Sequence, residues 1–342
     1  MVRTIAREAH NTRAKTRPGE QHGEAIEVMA AMSKIGATDI LSDIFDTIRL
    51  RGTLYFRTAY SPPWAIAVPP YKQAARFHLL VQGRCHIALE DGREAELSAG
   101  DLVMIPAGRG HVMGDQKGRP PSHLDDLVER AGFNGKGAFV VGEGDPAAAT
   151  QMVCGHLSFM DGADHPLLRA LPQLIVLRPA DREKAPILDD TLRLAARRAF
   201  SEEPGAAATI ARLSEIFFIE ALRAAIPYHP ELARIVGAMK DPQIGRVLEQ
   251  IHDSPARRWS VENLALIAGM SRSRFAERFT EAIGLAPMAY VTEWRLQKAL
   301  ARLATHTLSV KEVAAESGYQ SAAAFTRAFS ARFGYPPTEV AA

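Results

Sequence analysis

The 342-residue chain has few cysteines and no long apolar run. Its two cysteines, Cys85 and Cys154, exclude a disulfide scaffold and favour the cytoplasm as the compartment. The longest stretch without Asp, Glu, Lys or Arg, Pro146 to Met160, is shorter than the about 18 apolar residues that a spanning helix needs. No apolar segment precedes Ile26 either, so we expect neither a membrane segment nor a secretory signal.

The chain also has little net charge. Its 41 Lys and Arg residues against 39 Asp and Glu leave a formal charge of +2, which does not by itself indicate a polyanionic partner. Residues 241–342 hold 12 basic and 10 acidic side chains, again a net of +2. Any affinity for nucleic acid must therefore come from where individual charges lie.

The length predicts about two domains. Residues 1–36 are polar and without sustained periodicity, which predicts a disordered tail, and Met29 and Met32 are alternatives to Met1 as the start. An amphipathic helix is expected over Ile40–Leu50. Short apolar runs with Gly and Pro turns follow, typical of the strands of a barrel or sandwich.

This β-rich region is assigned to residues 37–185. It holds one helix candidate, Leu124–Ala131, and a last pair of strands at residues 152–160 and 173–179. Helical spacing then returns, with Ile210, Leu213 and Phe217 on one stripe. Residues 186–238 are interpreted as a helical connector that either packs on the core or pairs two protomers, and residues 239–342 as an all-helical domain.

The all-helical region contains one pattern twice. Each copy begins with a run at the i, i+3, i+4, i+7 spacing of one helix face: Val261, Leu264, Ala265 and Ala268, then Val310, Val313, Ala314 and Ser317. A glycine, Gly269 or Gly318, ends each run. A serine then opens a second helix that carries a phenylalanine pair: Ser271 with Phe275 and Phe279, and Ser321 with Phe325 and Phe329. Helix, glycine turn and helix predict two helix-turn-helix units.

A long helix beginning at Pro287 joins the two units, and Phe333-Gly334-Tyr335-Pro336-Pro337 follows the second one. Residues 240–340 thereby resemble the DNA-binding domain of the AraC/XylS family of transcriptional regulators. The Tyr-Arg pair usual after that proline is absent.

The helix faces opposite the phenylalanines are those that a helix in the major groove presents to base edges. We predict DNA contacts by Arg272, Ser273, Arg274, Ala276, Glu277, Arg278, Gln320, Ser321, Ala323, Thr326 and Arg327. Arg327 is expected to bind a guanine and Glu277 a cytosine amino group, each worth about 1–3 kcal/mol. Arg272, Arg274 and Arg278 are expected to contact phosphates.

Residues 100–111, GDLVMIPAGRGH, fit G-x5-P-x-G-x2-H and resemble the second signature of the cupin β-barrel. Aligned on His78, the first signature has Arg76 and Gln82 in place of a histidine and a glutamate, and Asp115 replaces the asparagine of the second. The resemblance implies a cupin-type sensor domain in which the metal ligands of cupin enzymes are incomplete.

The β-rich region nevertheless offers soft ligands. Strand alternation places Cys154 and His156 on one face, and with His78 and His111 they would form a nitrogen and sulfur set suited to Zn²⁺. Three alternatives remain open: hydrogen-bonded core histidines beside an inert thiol, a redox pair of Cys85 and Cys154, and a pocket for a small organic effector.

The sequence thus predicts an α+β multidomain protein with an N-terminal cupin-like β-barrel, a helical connector and a C-terminal all-α double helix-turn-helix domain. We expect no catalysis. The expected function is that of a cytoplasmic, sequence-specific regulator that binds double-stranded DNA as a homodimer, works with RNA polymerase and responds to a small-molecule, metal or redox signal. Activation is the output assigned to it, with repression as the open alternative. The competing hypothesis is a metal-dependent cupin enzyme with a helical appendage.

Overall fold

The computed structural model describes residues 39–71, 73–134, 137–145, 148–199 and 203–341, so the tail predicted at 1–36 lies outside the described residues. The strands are β1 (Arg51–Tyr60), β2 (Ala65–Val68), β3 (Ala74–Gln82), β4 (Arg84–Leu89), β5 (Glu94–Ser98), β6 (Leu102–Ile105), β7 (His111–Gly114), β8 (Ser122–His123), β9 (Ala138–Val141), β10 (Thr150–Ser158) and β11 (Ile175–Leu177).

The helices are α1 (Ile40–Ile48), α2 (Leu124–Arg130), α3 (Pro166–Arg169), α4 (Pro179–Arg182), α5 (Pro186–Ala199), α6 (Ala206–Ala225), α7 (Pro230–Lys240), α8 (Ile244–Asp253), α9 (Val261–Ala268), α10 (Arg272–Ile283), α11 (Pro287–Leu303), α12 (Val310–Glu316), α13 (Ala322–Phe333) and α14 (Pro337–Ala341). None of these described helices is long and apolar enough to cross a bilayer.

The strands form two sheets whose inner faces share one apolar cluster. The six-stranded sheet has the order β11-β6-β3-β10-β1-β9 and the five-stranded sheet the order β5-β4-β7-β2-β8. Leu80 and Met152 from the first sheet pack with Ile66, Ile87 and Met113 from the second. The predicted cupin-like domain is confirmed, and its described strands are divided between two sheets instead of joining in one closed ring.

The last two strands predicted from the sequence are present, but they do not pair with each other. β10 lies between β1 and β3, whereas β11 pairs with β6. The short helix α3 and its flanking turns carry the chain across the sheet between these two strands. Proximity in sequence is therefore a poor guide to pairing here.

The connector helices cover the outer face of the six-stranded sheet. The Phe217 ring on α6 meets the Phe77 ring of β3 edge to face, with centroids 4.6 Å apart. A methyl group on Gly52 of β1 would lie 2.3 Å from the carbonyl oxygen of Ala211, so glycine is needed at this close approach. Ile210 and Phe217 are buried as predicted, whereas Leu213 is only half-buried. This face of the connector therefore packs on the core.

The C-terminal domain has the predicted pair of helix-turn-helix units. The Ser260, Ser309 and Ser321 hydroxyls accept from backbone N–H groups of α9, α12 and α13 and thereby cap these helices. Gly269 and Gly318 turn the chain with φ of 66° and 79°. All four phenylalanines of the two pairs are fully buried. Local signals in the sequence thus specify this domain.

A buried hydrogen-bond chain joins the two parts of the molecule. His165 Nδ1 accepts from the Leu167 N–H (3.0 Å), so its Nε2 carries the proton and donates to the Tyr290 oxygen (3.1 Å). The Tyr290 hydroxyl donates to His252 Nε2 (2.8 Å), and His252 Nδ1 donates to Asp43 on α1 (2.8 Å). Every proton in the chain therefore has one defined place.

The long helix α11 supplies further contacts to the N-terminal part. Lys298 pairs with Asp43, and the indole of Trp294 meets the His165 ring edge to face, with ring centroids 5.7 Å apart. Gln297 donates to the carbonyl oxygen of Gly162 (3.1 Å). The helix that joins the two helix-turn-helix units therefore also contacts the N-terminal domain.

Candidate nucleic-acid interface and interior histidine cluster

The first recognition helix, α10, exposes the face predicted to meet DNA. Phe275 and Phe279 point into the domain, while Ser273, Arg274 and Glu277 are exposed. Ala276, between them, is half-buried. The helix begins after Ser271, so its first backbone N–H groups are near the exposed face, where they favour a phosphate.

The three arginines predicted for phosphates differ in their surroundings. Arg272 pairs with Glu262 at 3.0 Å on the surface, where such a pair contributes little and can exchange for another anion. Arg274 is exposed. Arg278 is instead half-buried, with its guanidinium on Asp241 (2.5 Å) and Gln243 Oε1 (2.6 Å), which ties α10 to the start of α8. In this structure Arg278 therefore serves the fold of the domain.

The second recognition helix, α13, is exposed in the same way. Ala323 and Arg327 are exposed and Thr326 is half-buried, opposite the buried phenylalanine pair. Gln320 and Ser321 lie at the exposed N-terminal end, where the Ser321 hydroxyl accepts from the Ala324 N–H at 3.2 Å. The predicted base-reading face is thus open on both helices.

Three of the four predicted metal ligands meet between the sheets. His78 Nε2 lies 2.9 Å from His111 Nε2, and His78 Nδ1 lies 3.0 Å from the sulfur of Cys154. His111 Nδ1 lies 3.1 Å from the carbonyl oxygen of Arg109, to which it must donate. The tautomers follow: Cys154 donates to His78 Nδ1, and His78 Nε2 donates to His111.

Burial sets the protonation of this cluster. It lowers the pKa of His78 well below its ordinary value and that of His111 to about 4, so both imidazoles are neutral at pH 7. Burial raises the pKa of Cys85 to about 12 and also raises that of Cys154. The thiols are therefore protonated, and oxidation, which proceeds through the thiolate, is disfavoured.

His156 lies apart from the cluster. Its ring packs against Tyr71, with centroids 5.4 Å apart. Cys154 and His111 lie at opposite nitrogens of His78, so one ion cannot bind all three in this arrangement. Throughout the part of the chain that the structure describes, no three His, Cys, Asp or Glu side chains are placed to hold a metal ion.

The space beside the cluster is small. A cavity of about 30 Å³ is lined by His78, Cys154, Tyr60 and Met113, with the buried Arg76 at its edge. Such a volume holds about one water molecule and no organic effector of ordinary size. In the sequence Arg76 stands only at the position of a cupin ligand, but it precedes His78 by two residues and so shares its strand face, which is the signal that it also lines this cavity.

The fold and the exposed faces of α10 and α13 define the class of protein, in which a cupin-type domain is joined to a double helix-turn-helix domain. Family models agree, because a cupin model matches residues 39–226 and a helix-turn-helix domain model matches residues 264–342. The chain belongs to the AraC/XylS family of transcriptional regulators. It is therefore a DNA-binding regulator and not an enzyme.

Curated relatives span nearly the whole chain. The HTH-type transcriptional regulator AlkR of Acinetobacter baylyi is 30% identical over 301 residues, 87% of this chain and 97% of the relative. The RCS-specific HTH-type transcriptional activator RclR of Escherichia coli is 29% identical over 272 residues, 77% of this chain and 83% of the relative. A putative AraC-like transcription regulator of Streptomyces lividans is 26% identical over 309 residues, with coverages of 87% and 96%.

Proposed function

We propose that this regulator binds a specific DNA sequence with α10 and α13 in successive major grooves, about 34 Å apart on one face of the duplex. The observation that carries the proposal is that both helices bury a phenylalanine pair and leave the opposite face exposed. Arg327 binds a guanine, Glu277 accepts from a cytosine amino group, and Arg272 and Arg274 contact phosphates.

The test begins by selecting a binding sequence from random duplex DNA with the full chain. Arg327→Ala should then lower affinity by about 1–3 kcal/mol and relax discrimination at one base pair. Arg223→Ala, which removes an exposed arginine of α6, is the matched control and should bind as the parent does. Parent-like affinity and base preference in Arg327→Ala would remove that residue from the interface.

We also propose that the regulator acts as a homodimer. Ile187 and Leu194 of α5 and Ile216 of α6 are large apolar side chains with exposed fractions of 57%, 37% and 44%. A second protomer covering them would double the phosphate contacts, which a domain of net charge +2 needs. Leu194→Asp should shift sedimentation toward the monomer, and an unchanged distribution would exclude this face.

Because RclR is named an activator, we propose activation through RNA polymerase in the cytoplasm as the output.

We propose that the signal sensed by the cupin-type domain is a metal ion bound at His78 and His111, and Zn²⁺ is the first ion to test. Both imidazoles are neutral and their Nε2 atoms lie 2.9 Å apart, so an ion can bind both once the His78 proton moves from Nε2 to Nδ1, beside the Cys154 sulfur. His111 is already oriented by its hydrogen bond to Arg109, as metal-binding histidines usually are. The protonated thiols argue against a redox pair, and the small cavity argues against an organic effector. Cys154 would join the ion only after His78 turns.

Elemental analysis tests the metal proposal. The full chain, purified without chelator and dialysed against Zn²⁺, should retain zinc, and the His78→Ala/His111→Ala variant should not. His156→Ala, which removes the histidine outside the cluster, should retain it. Equal and near-zero zinc in all three proteins would exclude the metal, and a mixed disulfide or labelled thiol at Cys154 would favour the redox alternative.

A further inference from the structure

The loop between α8 and α9, residues 254–260, lies where the two helix-turn-helix units meet α11. Arg295 of α11 donates from Nε to the carbonyl oxygen of Pro255 and from Nη2 to that of Arg257, both at 2.7 Å. A planar guanidinium suits this two-point attachment, and an ammonium group could not reproduce it. The loop is thereby fixed to the long helix.

The loop is also ordered within itself. The Trp259 indole donates to the carbonyl oxygen of Ser254 (3.0 Å), and the Arg257 guanidinium lies over the Trp259 ring, 4.6 Å from its centroid. The chain then runs directly into Ser260, which caps α9. The position of this loop therefore sets where α9, the first helix of the first unit, begins.

The second unit touches the same loop through its turn. A methyl group on Gly318 would lie 2.4 Å from the Ala256 carbonyl oxygen and 2.9 Å from its Cα, so the two backbones are in direct contact. Tyr319, the next residue, packs its ring edge to face on Phe325 of α13, with centroids 5.4 Å apart. The turn is thus tied to the second recognition helix.

The matching turn of the first unit is different. Gly269 also has a positive φ, 66°, but a methyl group there would meet no atom within 4 Å. Glycine is therefore needed at 269 for the turn alone, and at 318 for the turn and for the contact with Ala256.

We propose that this joint, made of residues 254–260, Arg295 and Gly318, sets the distance and angle between α10 and α13, and that Arg295 and Gly318 are positioning residues for simultaneous binding of two grooves. The units are also connected by α11 and, on the far side from the joint, by contacts of α13 with the N-terminal part such as Arg332 with Asp164. Two linked binding elements add their free energies of binding only when the distance between them matches the spacing of their DNA sites. The proposal rests on the proposed two-groove binding.

The experiment uses the full chain and the bipartite sequence that it selects. Affinities are measured on the whole site, on DNA with either half scrambled, and on whole sites with one base pair inserted or removed between the halves. Arg295→Lys and Gly318→Ala should each lose about 10-fold or more on the whole site. They should bind either half as the parent does and should tolerate the altered spacings better than the parent.

The controls separate the joint from general damage. Arg302→Ala removes another basic residue of α11, and Gly269→Ala strains the matching turn without a contact; both should keep the parent's spacing preference. Two results overturn the inference: an unchanged spacing preference in Arg295→Lys and Gly318→Ala, or an equal change in Gly269→Ala. If the parent selects no bipartite sequence, the proposed two-groove binding itself fails.

Discussion

At the scale of single residues, the Tyr290 hydroxyl holds two buried imidazoles. Tyr290→Phe would leave His165 Nε2 without an acceptor and His252 Nε2 without a donor. We expect the free energy of unfolding to fall by about 2 kcal/mol or more, because buried polar groups without partners are costly. Urea denaturation measures the change. Tyr228→Phe, at an exposed tyrosine, should change stability by less than about 0.5 kcal/mol; equal effects would contradict this role of Tyr290.

Which single residues the sequence could predict depends on how far apart the partners lie. Ser260 and Ser309 accept from N–H groups three residues away, so spacing in the sequence is enough to indicate such a capping role. Tyr290 and His165 are 125 positions apart, and no local pattern indicates their bond. Arg278 shows the same limit, because its carboxylate partner, Asp241, precedes it by 37 positions.

At the scale of elements, β10 has a position at which only glycine fits. A methyl group on Gly155 would lie 2.5 Å from the Thr53 carbonyl oxygen and 2.6 Å from the Phe77 ring. Gly155→Ala should therefore lower the melting temperature, at a cost of about 1–3 kcal/mol for overpacking. Gly237→Ala, exposed in α7 with open space around it, should instead raise stability by up to about 1 kcal/mol. An unchanged melting temperature for Gly155→Ala would show that β10 can shift to accommodate the methyl group.

The elements themselves were largely predictable, but their pairing was not. Apolar spacing predicted α9, α11 and α12 with nearly correct ends, because a helix is a local structure. β10 and β11 were correctly placed as strands, but the sequence did not indicate their partners, because pairing depends on the path of the chain between them. The division into two sheets and the close approach of α6 at Gly52 likewise depend on contacts far apart in sequence.

At the scale of the whole molecule, buried neutral histidines make stability depend on pH. Burial lowers the pKa of His165, His252, His78 and His111 in the folded state. A lowered pKa means that the stabilisation is complete above the unfolded value of about 6.5 and is lost as the pH falls below it. Asp43 has a lowered pKa and therefore stays charged between pH 7 and pH 5.

The free energy of unfolding should consequently fall between pH 7 and pH 5. Each histidine whose folded pKa lies below 5 contributes up to about 2 kcal/mol of this loss at pH 5. Denaturant titrations at several pH values measure the slope, and His252→Gln should make it shallower. A flat profile from pH 7 to pH 5 would show that these histidines gain protons without opening the fold.

The small net charge of the molecule limits how strongly salt can weaken DNA binding. Residues 241–342 contain 12 basic side chains, and four of them are held within the protein by part-buried contacts: Arg278, Arg295, Lys298 and Arg332. The other eight, which include the arginines of exposed surface pairs such as Arg272, can reach phosphates, and at about −0.9 per contact the slope of log K against log salt should be no steeper than about −7 per protomer. Fluorescence anisotropy on the selected site at several salt concentrations measures it. A steeper slope for the monomer would mean that the internal ion pairs open on DNA, and that Arg278 exchanges Asp241 for a phosphate.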